Sequence, residues 1–195
     1  MQRSSPKHRK FLIALMAALP AIGLAANASA ADGLSYNHVQ GGYVATNTDF
    51  ADADGWGGEA SVAVSENFHV FGGYNSQELD NTSIDVENWR AGLGYNHPVS
   101  SNTDLVTRVA YENYQVDIVG FDEDAWSAEV GVRSALTSNL EGYAMAGYED
   151  GDNFDDGAYG RLGGQYKFTP NWGITGDVKL SDGDQQWFVG PRFTW

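Results

Sequence analysis

The chain contains no cysteine, and basic residues are scarce beyond its first 30 positions. Without cysteine there is no disulfide framework, and a site built on thiolates is excluded. Four of the 11 Lys and Arg residues precede Phe11, whereas all 26 Asp and Glu residues follow Ala30, so the chain after Ala30 has a formal charge of −19. This charge excludes nucleic acid as a partner, because contacts with phosphates need Lys and Arg.

Long apolar runs are also absent, except in the first 30 residues, which have the pattern of a secretory signal peptide. Residues 3–10 are rich in Lys and Arg, residues 11–26 are apolar, and residues 28–30 (ASA) form a small-residue cleavage site. We predict a signal peptide over residues 1–30, cleaved after Ala30, and export through the periplasm. A membrane anchor that stays attached is the alternative.

The rest of the chain alternates apolar and polar residues with the two-residue period of a β-strand. No helical period persists in this part of the sequence. We predict ten strands, over residues 34–45, 56–65, 68–78, 87–97, 103–116, 125–136, 140–149, 158–168, 172–180 and 187–195. One face of every strand is free of charge, and the other face is polar.

Aromatic residues mark both ends of the apolar face, whereas its middle holds Gly, Ala, Val, Leu and Ile. The residues beside the longer connections are Tyr43, Trp56, Tyr74, Trp89, Tyr111, Trp126, Tyr148 and Trp187. Those beside shorter connections or the C-terminus are Phe68, Tyr95, Phe168, Trp172 and Trp195. Two such rows are typical of the aromatic girdles that border the lipid-facing band of an outer-membrane barrel.

The predicted connections alternate in length, as in barrels whose long loops face the cell exterior. The long ones are 46–55, 79–86, 117–124, 150–157 and 181–186. We therefore predict an all-β fold, a closed antiparallel transmembrane barrel of ten strands over residues 31–195. Eight strands are the alternative count, and a β-sandwich is the alternative fold. Because lipid offers no hydrogen bonds to backbone groups, strand 10 must pair with strand 1. The even number of strands places both termini at the periplasmic rim.

The polar face carries opposite charges that would meet inside such a barrel. The residues are Glu59, Arg90, Arg108, Glu112, Glu129, Arg133, Arg161 and Arg192. Ten strands enclose little more than the space that these side chains fill. We predict a lumen plugged by ion pairs, with Arg90 and Glu112 as one candidate pair. A narrow pore for ions or small solutes is the alternative.

Acidic residues are concentrated in the five long connections, which hold fifteen Asp and Glu residues and no Lys or Arg. The two densest groups are Asp49, Asp52 and Asp54, and Asp150, Asp152, Asp155 and Asp156. Clustered carboxylates beside glycines suit Ca²⁺ or Mg²⁺, so both groups are weak candidate metal sites. A solvated acidic surface without bound metal is the alternative, and divalent cations could also bridge this surface to lipopolysaccharide.

The chain ends in a strand whose alternate residues are all apolar, and its last residue is aromatic. This ending, with Phe193 and Trp195 on one face, resembles the C-terminal signal that the outer-membrane assembly machinery reads. The resemblance implies that this machinery is a partner of the chain.

The segments ADGLSYNHVQGGYVATNTD, FHVFGGY, NWRAGLGYNHPV, WSAEVGVRSAL, GYEDGD and DGDQQWFVGPRF span nearly all of the chain after Ala30. Together they resemble a family of small outer-membrane β-barrels of gammaproteobacteria, similar to opacity-protein barrels and labelled sulfation-dependent quorum factor. The resemblance implies that a tyrosine-sulfated N-terminal peptide acts as a secreted signal, with Tyr36 or Tyr43 as the modified residue. Both tyrosines lie in the first predicted strand, so release of this peptide is expected to open the barrel.

The histidines of the exported chain do not favour catalysis. His38, His69 and His97 lie in the periplasmic half of their predicted strands, so none can join a catalytic constellation at the outer rim. We predict a non-enzymatic outer-membrane barrel with a role in envelope structure, surface interaction or adhesion. Its expected partners are membrane lipid, lipopolysaccharide and the assembly machinery, its external partner is not identified, and Ca²⁺ or Mg²⁺ is its only candidate cofactor.

Overall fold

The computed structural model describes residues 30–48, 51–116, 121–151 and 157–195. It contains ten strands: β1 (His38–Asn47), β2 (Asp52–Ala63), β3 (Phe68–Leu79), β4 (Asp85–Ser100), β5 (Thr103–Val116), β6 (Phe121–Ala135), β7 (Leu140–Gly151), β8 (Gly157–Lys167), β9 (Trp172–Ser181) and β10 (Asp184–Thr194). No helix within these ranges is long and apolar enough to span a membrane. The predicted signal peptide, residues 1–30, lies almost wholly outside the described residues.

The strands form one closed antiparallel barrel, which confirms the predicted fold class and the count of ten strands. Each strand pairs with its neighbours in sequence, and β1 closes the barrel against β10, with Tyr43 opposite Val189. One irregularity interrupts the register between β4 and β5, near Pro98. The start of β1 and the C-terminus lie at one end of the barrel, the terminal rim, which also holds the turns 64–67, 101–102, 136–139 and 168–171. The opposite end is the distal rim.

The first strand begins later than predicted, at His38 rather than at residue 34. Residues 31–37 are not part of the sheet but lie across the terminal end of the lumen, where Tyr36 is completely buried. Their alternation therefore reflects contact with the interior of the barrel and not pairing in a strand. The prediction that Tyr36 belongs to the first strand is wrong, whereas Tyr43 lies in β1 with an exposed ring.

The strands extend further than predicted towards the distal rim. β2 begins at Asp52, β6 at Phe121 and β10 at Asp184, all inside segments that were predicted to be loops. The predicted alternation of long and short connections is therefore wrong, since the distal connection between β9 and β10 has only residues 182–183. The apolar alternation stops at the distal aromatic residues because acids replace apolar residues on the outer face there, while the backbone pairing continues past them.

The connection between β9 and β10 is a tight hairpin turn. Asp182 and Gly183 both have positive φ angles, of 32° and 97°. An Asp-Gly pair suits such a turn, because glycine adopts positive φ without a steric penalty and aspartate tolerates it better than most residues. This turn fixes the register of β9 against β10, with Asp184 opposite Ser181.

Glycines allow β1 and β10 to approach closely where the barrel closes. A Cβ atom on Gly42 would lie 2.1 Å from the carbonyl oxygen of Val189, and one on Gly190 would lie 2.1 Å from that of Gly41. Both contacts are with backbone atoms, which cannot move without disturbing the pairing of the two strands. The closure of the barrel therefore depends on the absence of side chains at these two positions.

We expect Gly42→Ala to destabilise the barrel by about 1–3 kcal/mol, because the added methyl group forces β1 and β10 apart. The measurement is urea unfolding of the refolded barrel, followed by its difference in gel mobility before and after heating. Gly160→Ala is the matched control, because a Cβ there meets nothing within 4 Å. Equal unfolding midpoints for the two variants would contradict this account of the closure.

Candidate functional site

The outer surface of the barrel carries two rows of aromatic side chains. In the distal row, three pairs are direct partners across neighbouring strands: Tyr43 and Trp56, Tyr74 and Trp89, and Tyr111 and Trp126. Diagonal contacts connect these pairs, since the ring centroids of Trp56 and Tyr74, and those of Trp89 and Tyr111, are 5.4 Å apart. Tyr148 and Trp187 continue the row with exposed rings. The structure thus brings the predicted girdle residues of this end into one row.

The second row lies at the terminal rim. Phe68 and Tyr95 are partners on β3 and β4, with ring centroids 5.1 Å apart. The ring of Phe193 lies 5.0 Å from that of Trp172 and 6.0 Å from that of Trp195. The backbone nitrogen of Trp195 donates a hydrogen bond to the carbonyl oxygen of Asn37, so the final residue is held beside the start of β1.

The band between the two rows is apolar and free of charge. Its exposed side chains are mostly aliphatic and include Val109, Val130, Leu162, Ile174 and Val189. Charged side chains on the outer face begin only beyond the distal row, as at Asp54, Asp124 and Asp150. A wide apolar surface of this kind is unstable in water and suits the hydrocarbon interior of a membrane.

The inside of the barrel holds every Lys and Arg residue that follows Ala30. These residues are Arg90, Arg108, Arg133, Arg161, Lys167, Lys179 and Arg192, and all of them face the lumen. Five of them form ion pairs with the carboxylates of Glu59, Glu129, Glu141 and Glu149. The Arg90 guanidinium lies 2.5 Å from Glu59, and the Arg161 guanidinium lies 3.4 Å from Glu129.

Glu141 accepts two cations, since Arg133 lies 2.6 Å and Lys167 2.5 Å from its carboxylate. Glu149 receives the ammonium of Lys179 and the hydroxyl of Tyr114. These pairs cross-link β6, β7, β8 and β9 through the lumen. A side chain that lost its partner there would leave the other charge poorly solvated.

Three of the predicted lumen residues have no oppositely charged partner within 4 Å in the described part of the chain, namely Arg108, Glu112 and Arg192. Arg192 donates to the amide oxygens of Gln40 and Gln165, at 2.7 and 3.4 Å. Arg108 lies over the ring of Phe71, 5.1 Å from its centroid. The predicted pair of Arg90 with Glu112 is wrong, although the two are opposite each other in register.

Glu112 contacts hydroxyl groups instead of Arg90. The Ser127 hydroxyl donates to one of its carboxylate oxygens at 2.6 Å, and the Tyr114 hydroxyl, which donates to Glu149, lies 3.1 Å from the other. Arg90 instead reaches Glu59, two strands away on β2. Partners in the lumen thus lie on adjacent strands in some pairs, as in Arg133 with Glu141, and two strands apart in others, as in Arg90 with Glu59.

Two small cavities lie between these side chains. One cavity of about 30 Å³ is lined by His38, Gln40, Glu59, Arg108, Arg133, Tyr143, Arg161, Asp177 and Arg192. A second, of about 20 Å³, lies beside Met145 and Val106. Each has room for only one or a few water molecules, so neither provides a passage for a solute.

The segment that lies across the terminal end of the lumen, residues 31–37, is here named the N-terminal plug. The Tyr36 ring stacks on His69 with centroids 4.4 Å apart, and the Arg133 guanidinium lies over its other face at 4.9 Å. The Tyr36 hydroxyl donates to Asp104 at 2.9 Å. Burial raises the pKa of the Tyr36 phenol above its ordinary value, so the group stays a hydrogen-bond donor.

The predictions from the sequence include neither the plug nor its main acceptor, Asp104. The alternation of the residues does indicate their direction, because Tyr36 is an even-numbered residue like His38 and Gln40, which face the lumen. Asp104 likewise has the parity of Arg108 and Glu112. Reading these even-numbered positions as one inward set would have placed both groups inside the barrel.

Only three of the seven candidate metal ligands belong to the described residues. Asp49, Asp152, Asp155 and Asp156 lie outside the described residues, whereas Asp52, Asp54 and Asp150 lie at the distal rim. Within the described ranges, no three acidic or histidine side chains are close enough together to hold a metal ion. Ca²⁺ or Mg²⁺ binding at these groups stays a prediction.

No protein-family model matches the chain, and no curated protein sequence matches it. Among solved structures it is similar to the KdgM porin, with 12% identity, a TM-score of 0.46, and coverage of 80% of this chain and 99% of that one. It is also similar to Ail, the attachment invasion locus protein of Yersinia pestis, with 11% identity, a TM-score of 0.39, and coverage of 83% and 100%.

A third similar structure is the translocator domain of the autotransporter NalP from Neisseria meningitidis. The identity is 11%, the TM-score is 0.46, and the alignment covers 96% of each chain. All three likenesses are distant, so the architecture described above rests on the strand pairing of this chain itself. Membership of the sulfation-dependent quorum factor family stays a prediction.

We expect Val130→Arg, in the middle of the apolar band, to destabilise the barrel in lipid vesicles by about 2–4 kcal/mol, because the charge faces hydrocarbon. Asn47→Arg is the matched control, since this exposed residue of β1 lies beyond the distal row. Its expected cost is about 0–1 kcal/mol. The measurement is reversible denaturant unfolding in vesicles, and equal costs would argue against a lipid-facing band.

Proposed function

We propose that the protein is a non-enzymatic outer-membrane barrel with a closed lumen and an acidic distal rim. Its role is in envelope structure and surface interaction. The observation that carries this proposal is the uncharged apolar band between two aromatic rows, which encloses a lumen filled with ion pairs. Side chains that face outward between the two aromatic rows would contact lipid, and inward-facing glutamates form ion pairs with Arg and Lys.

The orientation follows from the termini. The predicted signal peptide delivers the chain to the periplasm, and the C-terminal residues Phe193 and Trp195 resemble an assembly signal read from that side. The start of β1 and the C-terminus lie at the terminal rim, so we assign this rim to the periplasm and the distal rim to the cell exterior. The acids beyond the distal row, such as Asp80, Asp85 and Asp182, then face the surroundings of the cell.

The packing of the lumen supports a closed barrel in preference to a pore. Ion pairs cross-link strands that are adjacent or two apart, and the cavity lined by four of the arginines has a volume of only about 30 Å³. The N-terminal plug also covers the terminal end. A narrow pore is the second candidate, because four arginines line this cavity and would favour the passage of anions.

The location of the histidines supports a non-enzymatic role. His38 and His69 are buried in the lumen, and His97 is exposed on the outer face at the terminal end, stacked on Tyr95. A histidine that acts as a general base on an external substrate has to lie near the distal rim. None of the three reaches it.

A secreted signal derived from the N-terminus is less well supported. Release of the plug would not break the pairing of β1, contrary to the expectation from the sequence, because the plug precedes that strand. However, the hydroxyl of Tyr36 is buried against Asp104. Sulfation of this group would therefore have to precede the folding of the barrel.

We expect the purified barrel to show no steady conductance in planar lipid bilayers, because ion pairs cross its lumen and the N-terminal plug covers its terminal end. Correct folding is verified on the same sample by faster migration on a gel before boiling than after it. A variant carrying Arg108→Ser and Arg161→Ser, which enlarges both cavities, is the comparison and is expected to conduct. Steady anion-selective current through the unaltered barrel would instead establish the narrow pore.

The acidic distal rim would meet a lipopolysaccharide layer that is itself anionic, so direct contact is repulsive unless cations intervene. Ca²⁺ and Mg²⁺ bind carboxylate and phosphate oxygens together and can bridge the two surfaces. We propose lipopolysaccharide, bridged by divalent cations, as the lipid partner of the distal rim. The exposed acids at this rim are not paired with Lys or Arg in the described part of the chain.

We expect Mg²⁺ to raise the melting temperature of the barrel in vesicles that contain lipopolysaccharide, compared with the same vesicles in a chelator. A variant with Asp80→Asn, Asp85→Asn and Asp182→Asn should lose most of this increase, because it removes carboxylates at the distal rim. Asp32→Asn, an exposed acid at the terminal rim, is the matched control. An increase that the triple variant retains would remove the rim acids from the interaction.

A further inference from the structure

Asp104 is the most deeply buried carboxylate at the terminal end of the lumen, with no exposed surface. One of its oxygens accepts a hydrogen bond from the Tyr36 hydroxyl at 2.9 Å. The other accepts from the backbone nitrogen of Ala31 at 3.0 Å. Among the described residues, no Lys, Arg or His nitrogen lies within 4 Å of this carboxylate, so both of its donors are uncharged in the full-length chain.

The cation best placed to neutralise Asp104 is already engaged elsewhere. Arg133 is its direct partner across β5 and β6. The Arg133 side chain instead binds Glu141 at 2.6 Å and the carbonyl oxygen of Ser35 at 2.9 Å. A carboxylate with no exposure and no opposite charge is costly to bury. Asp104 therefore lacks a charge that its position requires.

The plug is held so that Ala31 must lie beside Asp104. The backbone nitrogen of Asp32 donates a hydrogen bond to the carbonyl oxygen of Ser101 at 2.7 Å. The ammonium of Lys167 donates one to the carbonyl oxygen of Gly33 at 2.9 Å. These contacts fix both sides of the turn that begins at Ala31. The predicted cleavage site lies between Ala30 and this residue.

We propose that cleavage after Ala30 creates a binding partner for Asp104, because the α-ammonium of Ala31 forms an ion pair with the buried Asp104 carboxylate and fastens the N-terminal plug. Hydrolysis of the Ala30–Ala31 peptide bond consumes one water molecule. It leaves a carboxylate on Ala30 and an amine on Ala31, and the amine takes up the proton that the new carboxyl group releases. The nitrogen that touches Asp104 thus changes from a neutral amide to a cation.

The consequence is that processing and closure of the lumen are coupled. In the precursor, docking of the plug buries an uncompensated charge, so the docked state is disfavoured. In the processed chain the same geometry contains an ion pair with a second hydrogen bond from Tyr36. This inference goes beyond the proposed function and requires only that the exported chain starts at Ala31.

The first test measures the reactivity of the α-amine of the processed barrel towards an acylating reagent as a function of pH, with Lys167 and Lys179 resolved by peptide mass spectrometry. Mass spectrometry of the intact chain first establishes that it starts at Ala31. An unperturbed α-amine titrates at about 7.7–8.0. The ion pair should raise its apparent pKa by at least about one unit, which slows acylation at neutral pH by about tenfold or more relative to the unfolded chain.

Asp104→Asn should restore the ordinary titration of this amine, whereas the matched control Asp32→Asn should leave it raised. If Asp104→Asn does not fold, a chain that starts one residue earlier, at Ala30, replaces it, because its ammonium is displaced from Asp104 by one residue. This extended chain should react rapidly and unfold at a lower urea concentration.

Three results would overturn the inference. They are a different N-terminus in the exported protein, an α-amine in the folded barrel that titrates as in the unfolded chain, and a raised pKa that persists in Asp104→Asn. None of them bears on the proposed function, since conductance, lipid insertion and the effect of Mg²⁺ are measured independently of the α-amine.

Discussion

The pairing of β1 with β10 is the constraint on which the rest of the structure depends. In a membrane, an open sheet edge would expose backbone groups to lipid, which cannot form hydrogen bonds with them. The barrel avoids this by closing where Gly42 and Gly190 allow the two strands to approach. Once the sheet is closed, every side chain faces either the apolar surroundings or a lumen too narrow to hold bulk water.

Closure also explains the distribution of charge. A narrow lumen cannot solvate isolated ions, so the inward-facing acids need cations close by. The exported chain supplies seven basic residues and places all of them inside, which leaves none for the outer surface. The large negative charge of the sequence is therefore a property of its exterior, whereas its interior is close to balanced. Composition alone could not show this division.

The sequence predicted the fold well because a barrel in lipid imposes a strict two-residue period. That period fixed the ten strands, the apolar face and the aromatic rows. It failed where lipid no longer touches the protein. Beyond the distal row, acids such as Asp54 and Asp124 occupy outward positions, so strands there looked like loops. Before β1, Tyr36 continues the two-residue alternation of the strand, although it is not part of the sheet and its ring packs inside the lumen.

The ion pairs were predictable as a set but not individually. Parity shows that a side chain points inward, but it does not show how far that side chain reaches. Arg90 could therefore not be assigned to Glu59 in preference to Glu112. The contacts of the Glu112 carboxylate with the hydroxyl groups of Ser127 and Tyr114 could not be predicted either. The face pattern likewise indicates that Tyr36 points inward, but it does not identify the partners of the plug, which are distant in the sequence.

The extension of the strands beyond the distal row determines how the protein acts on its surroundings at a distance. Acids on flexible loops would adjust their positions and average out their field. Acids on paired strands, such as Asp54 and Asp124, are held in position by the backbone pairing of the sheet, so their negative charges stay at the distal rim. The field of these charges falls off over about 8 Å in physiological salt and over about 30 Å in dilute media. The electrostatic reach of the protein is therefore set by the ionic strength of the medium around the cell.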